Sequence, residues 1–157
     1  MQTTDWVLIG LAVLFVVTAA FLVAAETAIG RVSRSRAHEM ARERPGKATE
    51  RLELIVEDRA RYVNVMLFLH TAFAVAATGL VTYLCLDLVT WGPGWALLLT
   101  LAIMTGVMFI ALGVAPVTLG RQHADRIALR AGKFARGSAV LLGPFVSLLI
   151  LIGNAIT

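Results

Sequence analysis

The sequence predicts an all-α membrane protein: three transmembrane helices, cytoplasmic juxtamembrane helices and a C-terminal interfacial or re-entrant helix. Three observations predict it. Of 157 residues, 59% are apolar and 15% charged, against roughly 45–50% and about 25% in soluble domains. The apolar residues gather into runs long enough to cross a hydrocarbon core about 30 Å thick, which takes roughly 20 helical residues. The basic residues gather between those runs. This composition excludes a soluble enzyme, a disordered tail and a nucleic-acid-binding module. The net charge of +4 reflects membrane topology and not a nucleic-acid partner.

The first span is expected over residues 6–29. Val23-Ala24-Ala25 resembles a signal-peptide cleavage site. However, residues 1–5 carry no Lys or Arg, and the run is long for a signal core, so it is expected to stay as a helix. Next comes a basic stretch, residues 30–61, with nine Lys and Arg. Ser33 or Ser35 can cap a helix running through Arg42. Arg44-Pro45-Gly46-Lys47 reads as a turn. Residues 49–58 read as a second helix with Leu52, Ile55 and Val56 on one face. Residues 33–58 are thus a juxtamembrane helical pair.

The second and third spans are expected over residues 62–88 and 95–119, joined at Trp91-Gly92-Pro93. A second juxtamembrane helix, residues 121–136, holds Arg121, Arg126, Arg130, Lys133 and Arg136. The last apolar run, residues 138–157, is interrupted by Gly143-Pro144 and ended by Gly153-Asn154. That break and the flanking charge place it along, or dipping into, the inner face.

Positive loops stay in the cytoplasm. The N-terminus is therefore expected outside, in a multi-pass protein of the plasma membrane. Trp6, Trp91 and Trp95 then share the outer interface, where aromatic belts sit. The basic residues either touch anionic lipid headgroups or form a solvated, topology-setting face. The lone cysteine, Cys85, excludes an internal disulfide and a cysteine-based zinc site, and reads as a small buried or lipid-facing residue.

Polar groups at membrane depth are costly, so each is a functional candidate. Glu26 stands near the end of the first apolar run, where it either pairs with a basic residue such as Arg31 or lines an ion path. His70 is either an interhelical hydrogen-bonding group or a metal ligand. Gly113 and Pro116 interrupt the third span, as a kink lining a cavity or as simple close packing. No nucleotide loop, zinc-protease motif or catalytic triad is present, so an enzyme is not expected.

The motif Ala24-Ala25-Glu26-Thr27-Ala28, followed by Arg31-Val32-Ser33-Arg34-Ser35-Arg36, resembles the transmembrane domain of the CorC/CNNM family, also called the DUF21 domain. The resemblance continues at Glu57-Asp58-Arg59-Ala60-Arg61-Tyr62, at Pro116 and at Gly120-Arg121-Gln122-His123-Ala124-Asp125-Arg126-Ile127-Ala128, and covers essentially residues 1–157. It implies the membrane domain of a homodimeric magnesium transporter, acting as an exporter. It also implies that cytoplasmic CBS domains, which bind ATP in the family, follow beyond Thr157.

The departures from the family's pattern are as informative. The family's first-helix serine falls on Val23 and its second-helix asparagines on His70 and Ala74. The Gly-Glu of its third helix falls on Leu112 and Gly113, and the lysine after the proline on Val117. Glu26, Val114 and Pro116 are kept. Glu26, Thr27, Thr71 and Thr118 could supply oxygens to magnesium, which demands them. His70 would bring a nitrogen, which suits transition metals better. The sequence therefore leaves three functions open: a magnesium transporter, a carrier with altered metal selectivity, or a non-transporting scaffold that pairs with a complete paralogue.

Overall fold

In the computed structural model, the backbone is described for residues 3–156 and the side chains for residues 3–152. The regular elements among them are all helical: α1 (Thr3–Arg31), α2 (Arg34–Glu43), α3 (Lys47–Glu57), α4 (Arg59–Leu88), α5 (Pro93–Met108), a π-helical turn (Phe109–Val114), α6 (Ala115–Gln122) and α7 (Ala124–Ile156).

The pairing of α1 with α4 sets the frame, and it is the most extensive helix contact among the described residues. Arg59 donates from Nη2 to the carbonyl of Val32, which pins the start of α4 to the end of α1. The two helices therefore run antiparallel. Midway, the rings of Phe15 and Phe73 meet edge to face with centroids 5.4 Å apart. Buried Ala12, Ala19 and Ala77 let the backbones close up, as small residues do between membrane helices. The chain reverses after α4 at Gly92, whose φ of 111° suits glycine alone, and Pro93 opens α5. Trp6, Trp91 and Trp95 consequently gather at one end, all exposed. The arginine-rich segments gather at the other.

Residues 93–122 form one continuous rod of α5, π turn and α6. Pro116 has no N–H to donate, and the rod adjusts just before it. The amide of Ala115 reaches back five residues to the carbonyl of Ile110. The interruption at Gly113–Pro116, read from sequence as a kink or as simple close packing, is accommodated by a π turn.

The basic end closes into a collar of α2, α3 and the first half of α7. Ser33 caps α2 by accepting the Arg36 amide at 3.1 Å. Leu52, Ile55 and Val56 point from α3 into the core, buried to 2% exposure or less. Ala128, Ala131, Ala135 and Ala139 form the facing stripe on α7, at helical spacing.

The C-terminal segment departs from the sequence reading. Residues 121–136 and 138–157 were expected as separate pieces, yet α7 runs unbroken for 33 residues, through Gly143-Pro144 and Gly153-Asn154. The reason is a tertiary partner. Arg61 donates from Nη2 to the carbonyl of Ala139 at 3.2 Å. Its guanidinium occupies the space beside Gly143, where a Cβ would lie 3.0 Å from Nη2. A proline removes the donor to the carbonyl four residues earlier, here Val140, and Arg61 braces the same turn through the adjacent Ala139 carbonyl. Beyond it, Phe145 meets Phe68 at 5.4 Å and Val146 is buried, so the segment rises beside α4 instead of turning back. By length and composition, four helices among the described residues could cross a membrane, where the sequence suggested three. Thr157, the last residue of the expected interfacial run, lies outside the described residues.

Candidate functional site

Glu26 lies under two turns in from Val32, where the antiparallel pairing sets α4 opposite α1. It meets His70. The carboxylate Oε2 and the imidazole Nδ1 stand 3.0 Å apart, with the side chains 23% and 16% exposed. The distance is that of an ion pair, but the angles are not those of a hydrogen bond. Both atoms are shielded from solvent, and neither makes a hydrogen bond within the protein. Buried polar atoms left in this state are expensive and call for a third group: a proton, a water or a cation.

The alternative partner, Arg31, does not reach Glu26. Five residues along a helix is a rotation of about 140°, and Arg31 is exposed at the end of α1. His70, distant in sequence, is brought in by the helix pairing.

Thr27 lies on the same turn of α1 as Glu26, one residue on. Gly120 of α6 is buried there, so close that a Cβ on it would lie 2.7 Å from the Ala24 carbonyl and 2.8 Å from the Thr27 Cβ. Only glycine permits this approach, which fixes the third rod against the helix bearing Glu26. Pro116 is buried one turn earlier on α6. The other expected path residues point elsewhere. Thr71 and Thr118 are exposed, and their hydroxyls donate at 2.8 Å to the carbonyls of Leu67 and Val114 on their own helices. Gly113 is exposed on the π turn. Among the described residues, no three His, Cys, Asp or Glu side chains lie close enough together to hold a metal ion. Glu26 and His70 therefore form a two-sided site.

Several basic residues are structural in a way the sequence reading missed. Arg34 donates to the carbonyl of Glu57 at 3.1 Å, Arg59 to Val32 and Arg61 to Ala139. The first two satisfy carbonyls at helix C-termini, where cations also meet the negative end of the helix dipole. Arg36 bridges Glu39 at 2.8 Å and Asp125 at 3.0 Å, joining α2 to α7. Those hydrogen bonds, Glu39 first, raise its pKa further above the ordinary arginine value. Arginines at helix boundaries were the available signal. Gly120 left none, since its role depends on which helix it meets.

A family model described as the cyclin M transmembrane N-terminal domain matches residues 10–157. The chain belongs to this CNNM family. Its membrane character and all-helical build are those of a multi-pass membrane domain, and the family is typically one of divalent-cation transport and not of catalysis. The chain is also similar to the UPF0053 protein Rv2366c of Mycobacterium tuberculosis and the UPF0053 protein Mb2387c of Mycobacterium bovis. Each is 38% identical over 152 residues, or 96% of this chain. The chain spans about a third of the length of these relatives, 32% in each case. Their names state no substrate.

Proposed function

We propose that this CNNM domain is the membrane part of a divalent-cation transporter, with magnesium as cargo and export as direction. The observation that supports this best is the Glu26–His70 contact: a carboxylate oxygen and an imidazole nitrogen 3.0 Å apart, both shielded from solvent and without hydrogen bonds, on the seam between α1 and α4. Magnesium keeps several waters and takes one or two carboxylates from its host. Glu26 supplies the carboxylate. In this reading the basic end is cytoplasmic, the membrane is the plasma membrane, two copies associate, and ATP-binding CBS domains lie further along the longer protein.

His70 favours a second reading. A nitrogen ligand is better suited to transition metals than to magnesium, so the site would carry a softer divalent ion.

The experiment is reconstitution of the full-length protein in liposomes with an entrapped magnesium-sensitive dye. The first reading expects magnesium flux, strongly reduced but still measurable in Glu26→Gln. Flux of manganese or zinc in preference to magnesium, lost in His70→Ala, would replace it by the second. No divalent flux from a folded, dimeric sample would overturn both and leave a scaffold that lends helix faces to a complete paralogue.

A further inference from the structure

The side of α1 turned away from His70 carries a second feature. A groove of about 490 Å³ runs between α1 and the parallel π turn and α6. This volume lies within the roughly 300–1,000 Å³ typical of ligand pockets. Ala20 and Phe21 form one wall, Ala111 and Leu119 the other, and His123 and Arg126 stand where α7 begins. Ala24, on the groove, lies about 200° around α1 from Glu26, so this site is separate from the Glu26–His70 contact. The groove exists because small residues face each other across it without meeting. Gly120 locks the two helices together at the basic end, and the π turn carries the third rod along the opposite wall.

The groove's chemistry changes along its length. The walls are apolar, and no carboxylate lines them. At the basic end Arg126 is exposed and forms no ion pair among the described residues. The adjacent Asp125 is held by Arg36 at 3.0 Å. An apolar trough at membrane depth ending in an unmatched cation fits one kind of molecule: an amphiphile with an anionic head.

We propose that this groove binds an anionic phospholipid, its acyl chain against Ala20 and Phe21 and its phosphate at Arg126 and His123. Charge complementarity favours lipid over a second copy of this chain. A second copy lying along the trough would face it with membrane helices, and in α1, α4 and the third rod the acidic residues are Asp5, Glu26 and Asp87. Glu26 faces His70, while Asp5 and Asp87 lie at the tryptophan end. The other carboxylates belong to α2, α3, the α3–α4 junction and the start of α7, outside the apolar trough.

Native mass spectrometry of the full-length protein in detergent tests this, with dioleoyl phosphatidylglycerol and dioleoyl phosphatidylcholine added separately. The expected result is preferential retention of phosphatidylglycerol. Arg126→Gln should weaken that retention by about fivefold, the effect of one basic residue at a lipid surface, and weaken phosphatidylcholine less, because its choline offsets the phosphate charge. Arg42→Gln, an equal charge change on α2, should preserve the preference. Ala20→Phe should fill the trough and reduce both lipids at unchanged helicity. Because that variant can disturb the bundle, Val17→Trp gives an independent readout: mid-chain brominated phosphatidylglycerol should quench it more than brominated phosphatidylcholine. Equal retention of the two lipids by the unaltered protein would overturn the proposal. So would equal losses in Arg42→Gln and Arg126→Gln, or conversion of a dimer to a monomer by Ala20→Phe with lipid retention intact.

Discussion

The two ends of the molecule use the same apolar residues under different rules. At the basic end, α3 and the first half of α7 close over Leu52 and Ile55, both 0% exposed, and arginines satisfy helix carbonyls. At the tryptophan end, α5 leaves Leu98 and Leu101 open at 58% and 62%. Water drives the first kind of closure. Lipid gives no such drive, because hydrocarbon tails are as apolar as leucine, and helices there associate through close packing of small residues. The contrast explains where the candidate site lies. Glu26 and His70 sit on the α1–α4 seam, just inside the collar that anchors both helices, so a costly polar pair is held by the better-packed end.

The largest expected effect in a comparison of the two ends is Ile55→Ala in the collar. It should destabilise the fold by about 2–5 kcal/mol, read as a lowered unfolding midpoint in detergent. Gly120→Ala comes next. Its Cβ would press on the Ala24 carbonyl and on Thr27, and overpacking of this kind costs about 1–3 kcal/mol. Thermal unfolding should detect it, and flux should fall with it because the third rod shifts against α1. Arg61→Gln removes the donor to Ala139 and should cost about 1 kcal/mol. Hydrogen exchange should rise around Gly143-Pro144 while α3 stays protected. The smallest effect is Leu101→Ala, expected within about 0.5 kcal/mol for an exposed side chain. A loss as large as that of Ile55→Ala would break the comparison and show that α5 packs against a second copy.

The helices themselves were largely legible in the sequence. The first three apolar runs fall inside α1, α4 and the α5–α6 rod, and Ser33, Leu52, Ile55 and Val56 do what their local pattern indicates. Local signals sufficed there because each depends on residues a few positions apart. Tertiary contacts were not legible. Gly143-Pro144 reads as a stop until Arg61, 78 residues away, is placed beside it. Glu26 reads as a partner for nearby Arg31 until the antiparallel seam delivers His70. Of the candidate path residues, Glu26, Thr27, His70 and Pro116 belong to the packed region around α1. Thr71, Thr118 and Gly113 have the right chemistry on the wrong face, and single-helix patterns do not reveal which face a third helix will cover.

The most direct test of the account is a double-mutant cycle on ion flux, with Glu26→Gln, His70→Gln and the pair compared in liposomes holding the full-length protein. If the two side chains form one site, their effects are coupled, and the double variant should transport no worse than the poorer single one. Losses that multiply, or a single variant that leaves flux untouched, would contradict a shared Glu26–His70 ion site.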